Sequence, residues 1–272
     1  MRVGIVCSGY EMMPLLQLLQ TYDISYDIFM DWKMWPWGDK SYDLQKERVD
    51  IWVKYLLEQV NVDTLILPPL FEHAYMSSGN SEYILPIFTQ YLTNEVLPFS
   101  IVWKLGLLCD STTIDESQVM IRELCSWYTL NAKQIETKSF HTTFPVWSRS
   151  VSMWNYFLTT YGKREWMVRK AIKYDLRYFK DAAVDTLIPL SWWHLFYEKI
   201  IRQHTQWKKI RFHGKKAVKL VLDWYLGSSE WAYSMTLHMT DKAQPLLDEQ
   251  KRMDMLGRGK ADSVIIKQCA EL

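Results

Sequence analysis

No excess of charge marks this chain of 272 residues: 32 Lys and Arg stand against 31 Asp and Glu, so nothing global draws it to nucleic acid or to an anionic surface. Cysteine is scarce. Cys7, Cys109, Cys125 and Cys269 form no CxxC pair and no tight cluster, which excludes a disulfide framework and a zinc knuckle. The histidines make no HxH or HExxH spacing, so no metal is expected. No apolar run is long enough for a membrane span, no signal peptide is read, and a reducing cytoplasm is the expected location. "YGKREW" lacks the glycines and the Ser/Thr of a phosphate-binding loop. No Gly/Ser/Pro-rich linker divides the chain.

What is abundant is aromatic: 14 Trp, 16 Tyr and 10 Phe, a load that requires large buried rings, an aromatic pocket or an interface. Short β-branched runs alternate with stretches of helical period. "RVGIV", "YDIFM", "DTLIL", "VWKLGLL", "DTLIP", "KKIRF" and "WAYSMTLH" read as strands, with a further region around Gln134–Thr137. Helices are expected over "YEMMPLLQLLQTY", "DLQKERVDIWVKYLLEQV", "SEYILPIFTQYLTNEV", "ESQVMIRELCSWYTL", "REWMVRKAIKYDLRYF", "WHLFYEKIIRQH" and "GKKAVKLVLDWYL". Such alternation predicts parallel sheets covered on both faces.

One pentapeptide occurs twice, in "VDTLILPP" (Val62–Pro69) and "VDTLIPLS" (Val184–Ser191). In a parallel sheet, function sits just past the C-terminal strand ends. A strand with its site loop, written once per half, predicts two pseudo-symmetric lobes. The tails after the strands are then the informative stretches: "CSGYE", "PPLFEHAY" and "LSWWHLFY".

At these tails the sequence resembles the aspartate/glutamate racemase superfamily, and glutamate racemase in particular. "IVCSG" keeps Ser8 and Gly9 of the family's opening "DSG" and puts Cys7 where the Asp stands. "DWKMWPWGDKS" retains Asp31, Pro36, Gly38, Lys40 and Ser41 of the family's second-strand motif, with Trp37 for its Tyr. "KLGLLCDSTTI" is similar to the strand that opens the family's second lobe, and "FHGKKAVKL" and "HMTD" echo later motifs. The resemblance runs in order along nearly the whole chain. It implies an α/β fold of two lobes, each a parallel sheet flanked by helices, with a ligand cleft between them. The first lobe would hold residues 1–98 plus 210–272, the second 99–209.

The resemblance also implies what is lost. Two cysteines of the family exchange the substrate's α-proton without a cofactor, chemistry that needs thiols of depressed pKa. Pro69 (Pro68 if the register slips by one) stands for the first and Ser191 for the second. Proline has no proton, and a serine hydroxyl is too weak an acid without an activating base. Two-thiol racemisation is therefore not expected. Cys7, Ser191, His194 and Glu72 remain as candidate acid, base or nucleophile. Ser8, Gly9, Trp37, Gly38, Pro69, Leu70, Trp192 and Trp193 are the candidate substrate-binding residues; tryptophans there suit a flatter ligand than glutamate, or fill the pocket. Cys109 and Cys125 read as core.

Two functions stay open: a diverged, cofactor-independent enzyme acting on a small carboxylic acid, or a catalytically silent binding or scaffold partner. A homodimer or a protein partner is compatible with either; nucleic acid and membrane are not expected. The basic "KKIRFHGKK" reads as a solvated face.

Overall fold

Runs such as "VGIV" and "LGLL" have no polar face, and each forms a strand buried along almost its whole length, as parallel strands between helices must be. The structure, a computed structural model, describes residues 1–7, 13–31, 37–79, 81–132, 145–154, 165–206, 209–227, 233–240 and 261–268. The elements are β1 (Arg2–Cys7), α1 (Met13–Leu19), β2 (Ser25–Met30), α2 (Tyr42–Glu58), β3 (Thr64–Ile66), α3 (Pro69–Ser77), β4 (Leu105–Cys109) and α4 (Ile114–Ala132). They continue with β5 (Val146–Ser150), α5 (Glu165–Asp181), β6 (Thr186–Pro189), α6 (Glu198–Thr205), β7 (Arg211–Phe212), α7 (Lys215–Leu226), β8 (Tyr233–Met239) and β9 (Ala261–Gln268).

The strands make two sheets, one of five in the order β3-β1-β2-β8-β9 and one of four in the order β5-β4-β6-β7. Every pairing of named strands is parallel. The sheets belong to separate compact units, Met1–Ile87 with Lys219–Leu272, and Phe88–Val218. The return to the first unit comes later than residue 210, because β7 hydrogen-bonds to β6 and so extends the second sheet. Among the described residues no helix is long and apolar enough to cross a membrane.

The repeated pentapeptide is the same structural part twice. Its first copy enters β3 and pairs with β1; its second enters β6 and pairs with β4. In both pairings the repeat's leucine lies opposite a glycine, Leu65 against Gly4 and Leu187 against Gly106. A Cβ on either glycine would sit 2.7 Å from Leu65 Cδ2 or 2.8 Å from Leu187 Cδ2, so only glycine leaves the leucine its space. Both aspartates stand just before the strand and accept backbone N–H groups: Asp63 from Arg2 at 2.7 Å, Asp185 from Ile101 at 2.6 Å and Val102 at 3.0 Å. The residues that turn the preceding helix into each strand, Asn61 and Ala183, share a left-handed backbone at φ 57° and 53°.

Two expectations fail locally, and a third is not tested. The apolar period of "SEYILPIFTQYLTNEV" is not one helix. Pro86 bars the α conformation before it, and the segment becomes a 3-10 turn at Ser81–Tyr83, a bridge at Ile84, and an α turn at Ile87–Gln90 running into a π turn at Tyr91–Val96. "WHLFYEKIIRQH" begins as a 3-10 segment (Trp192–Tyr197) before α6. The region around Gln134–Thr137 lies outside the described residues, and the strand beside β4 is Val146–Ser150.

Candidate functional site

In the first unit the strand ends meet at a buried carboxylate. Asp31, just past β2, is fully buried; its N–H donates to the Cys7 carbonyl of β1 at 3.0 Å. Thr240, just past β8, donates its hydroxyl to Asp31 Oδ1 at 2.6 Å, and Arg48 of α2 reaches Oδ2 with Nε at 3.0 Å and a terminal nitrogen at 2.9 Å. The Arg48 guanidinium also lies over the Trp52 ring, 5.3 Å from its centroid. Trp52 is the centre of a stack: Trp37 lies on it at 5.3 Å and 17°, Phe29 at 5.2 Å and 20°. Phe71 closes edge-on against Trp37.

These contacts place the sequence candidates of this unit. Trp37 is core, buried between Trp52, Phe71 and the amide of Gln45, which donates to its carbonyl at 2.9 Å. Gly38 follows it in the same 3-10 turn. Cys7 is fully buried, its thiol directed at the Phe29 carbonyl at 3.5 Å. Pro69 is buried in the first turn of α3, after Pro68 at the cap, so this helix opens with residues that lack an N–H. Leu70 is half-buried beside it and Glu72 fully buried in the same turn. Ser8 and Gly9 lie outside the described residues, as does Cys269.

The second unit answers with aromatic rings. Ser191 is the N-cap of the 3-10 segment after β6, joined to His194 in a reciprocal capping box; its backbone N–H donates to His194 Nδ1 at 3.3 Å. That bond leaves the proton of the neutral ring on Nε2, which is buried with no hydrogen-bond partner among the described residues. The ring packs on Trp193 at 4.0 Å and on Trp154 at 6.0 Å. Trp192 is buried against Phe88 and Tyr91. Trp192 and Trp193 therefore stand as packed rings.

Residues that sequence reasoning passed over hold this cluster in place. Asp175 of α5 accepts the Trp154 indole N–H at 2.9 Å and binds Arg149 of β5 at 3.0 Å, while Tyr197 donates to the Trp154 carbonyl at 2.8 Å. The signal was present in α5: Asp175 shares the helical face of Val168, Ile172, Leu176 and Phe179, all buried, and a carboxylate on an apolar face needs partners. Asp27 and His238 repeat the lesson in the first sheet. Burial pushes the Asp27 carboxyl up, but hydrogen bonds from His238 and Arg2 outweigh it and hold the group below the ordinary carboxylate range.

Burial pushes His194 down to about 3, so the ring is neutral at every physiological pH. The unfolded chain takes up this proton near pH 6.5 and the folded one does not until about pH 3. Stability from this residue is therefore complete above pH 6.5 and is lost as pH falls toward 3, by about 1.4 kcal/mol per pH unit across that interval. His194→Asn, whose side-chain oxygen can take the Ser191 N–H, should flatten the urea-unfolding free energy between pH 6.5 and 4.5 by that slope. An unchanged slope would mean that His194 already titrates in the folded protein. Cys109 and Cys125 are likewise core groups, each pushed up to about 12 by burial.

Among the described residues no group of three or more His, Cys, Asp or Glu is placed to hold a metal ion. No family model and no curated protein matches the sequence. Solved structures do match. A glutamate racemase isoform from Bacillus anthracis superposes with TM-score 0.72 at 15% identity, over 99% of this chain and 97% of that one. Glutamate racemase from Francisella tularensis, solved with D-glutamate, gives 0.68 at 15% over 98% and 97%. The Thermus thermophilus enzyme, solved with β-chloro-D-alanine, gives 0.70 at 12% over 100% and 98%.

Proposed function

We propose, from the glutamate-racemase fold that this chain carries end to end, that it is a racemase-like protein without racemase chemistry, retained for binding. One observation carries the reading. At the strand end where the resemblance puts a catalytic thiol, the hydroxyl of Ser191 has beside it a histidine whose ring is neutral, is enclosed by Trp154 and Trp193, and takes its hydrogen bond from the serine's backbone N–H. A base in that state cannot activate a hydroxyl. The other thiol position is Pro69, which has no proton to exchange.

Incubation of the protein with either enantiomer of glutamate or aspartate in deuterium oxide should leave the α-position unlabelled over days. Steady deuterium uptake that Ser191→Ala or Cys7→Ala abolishes would overturn the reading.

A second reading, an altered enzyme acting on a small carboxylic acid, is favoured by Asp31, a residue of the family-like second-strand motif held at a strand end beside Cys7. That enzyme needs a Cys7 thiol that reagents can reach. Its complete burial predicts the reverse. In a time course of iodoacetamide labelling mapped by mass spectrometry, Cys7 should stay unmodified until urea unfolds the chain, together with Cys109 and Cys125. Native labelling of Cys7, slowed by a dicarboxylic acid, would move the weight to the enzyme.

A further inference from the structure

The basic stretch "KKIRFHGKK" has a structural counterpart that a solvated face does not explain. A cavity of about 390 Å³, a size at the small end of ligand sites, opens where α6 passes β7, lined among others by Arg202, Thr205, Ile210, Arg211, Phe212 and His213. The strand alternation sorts its walls. Ile210 and Phe212 are buried, while Arg211 between them is exposed.

The charge in this cavity is only partly balanced. Among the described residues no carboxylate lines it. The nearest described partner, Glu198, meets Arg202 Nε at 2.8 Å and spends its other oxygen on the Lys215 N–H at 2.9 Å, in space that the missing side chain of Gly214 leaves open. Arg211 donates from one terminal nitrogen to the Phe99 carbonyl. The same lining holds a polar atom without a counterpart: His213 Nε2 is buried and has no hydrogen-bond partner among the described residues. A buried polar atom left unpaired is costly, and native structures rarely keep one without a reason. Burial, then Arg211 and Arg202, push the His213 ring down to about 4, so both guanidinium groups act on this one point.

We propose that this cavity binds a small phosphate monoester, its phosphoryl oxygens held by Arg202, Arg211 and His213 and its apolar part against Ile210 and Phe212. Two guanidinium forks match a dianion in charge and in geometry, and a monocarboxylate would satisfy only one of them. The site is independent of the strand-end residues and of whether any catalysis exists there.

Phenyl phosphate is the probe, titrated calorimetrically into the full chain at about 0.15 M NaCl, where exposed charges are already well screened, with benzoate as the carboxylate arm. Saturable binding of phenyl phosphate is expected, with benzoate at least tenfold weaker. Arg202→Gln and Arg211→Gln should each weaken it tenfold or more, and Lys46→Gln, in the other unit, should not. Equal affinity for benzoate, or full affinity in both arginine variants, would overturn the assignment. Should either variant fail to fold, the wild-type protein decides. With ¹⁵N-labelled histidine, saturating phenyl phosphate should move the His213 ring nitrogens, identified by their loss in His213→Gln, and an unmoved signal would sink the proposal.

Discussion

Trp52→Ala is expected to lower the stability of the first unit by about 3–5 kcal/mol, the range for removing a large aromatic from a packed core. Trp52 is fully buried: Phe29 and Trp37 stack on it in near-parallel planes, and Arg48 lies over the ring as well. Alanine would leave a void lined by Val49, Val53 and Phe71, residues of the same buried cluster, and would free Trp37 from its main support. Trp52→Phe, which keeps one stacked ring, should cost less than half as much. The measurement is urea unfolding followed by far-UV circular dichroism. A loss under about 1 kcal/mol for the alanine variant, well below the usual cavity cost, would show that Trp37 and Phe29 close over the gap, and with it that this stack is not what fixes Trp37.

Asp31→Ala should be about as damaging, on the order of 3–5 kcal/mol, for a different reason. The carboxylate is the shared acceptor of Arg48 and Thr240, and the residue's backbone N–H ties it to the β1 end. Its removal takes the ion pair from a mostly buried guanidinium and the acceptor from a buried hydroxyl. Asp31→Asn can still accept from Thr240 but turns an N–H₂ toward Arg48, so it should recover only part of the loss. Removing both ends of the pair tests the account. Asp31→Ala with Arg48→Met should cost clearly less than the sum of the single changes, since the second substitution removes the mostly buried charge whose ion pair the first broke. Strict additivity would mean that Arg48 finds water or another partner at no cost, and that the network does not hold the strand ends together.

Much of this architecture could be read from the sequence, and for physical reasons. The repeat was informative because its residues do separate work in both copies. Asp takes up the N–H groups at the strand entrance, and Leu fills the space across from Gly4 or Gly106. Strands such as Arg2–Cys7 were legible because burial on both faces demands an unbroken apolar run. β5 was not, since "VWSRS" is an edge strand, half-buried throughout, and its Arg149 is drawn to Asp175 on α5, 26 residues on. The tryptophans were ambiguous for a general reason. An indole that lines a pocket and one that fills a core have the same sequence signal, and only neighbours such as Trp52, Phe71, Phe88 and Tyr91 decide that Trp37 and Trp192 are packed. His194 looked like an acid or base because its type is right; that it spends Nδ1 on its own turn depends on a local bond that spacing does not announce.

The margins of the two sheets carry a consequence for how this chain meets others. An open strand edge is a template on which a foreign strand can add. At β3 that edge is already occupied: the Leu85 N–H donates to the Leu65 carbonyl at 2.8 Å and Ile84 bridges beside it. β7 offers only two residues, one of them the exposed Arg211. β5 carries Arg149, whose guanidinium lies across the rings of Tyr174 and Tyr178. A peptide or a second copy of the chain gains little main-chain hydrogen bonding at β3 and β7, and at β5 it meets a side-chain cluster of Arg149, Tyr174 and Tyr178. Recognition at β3 and β7 has to be made by side chains.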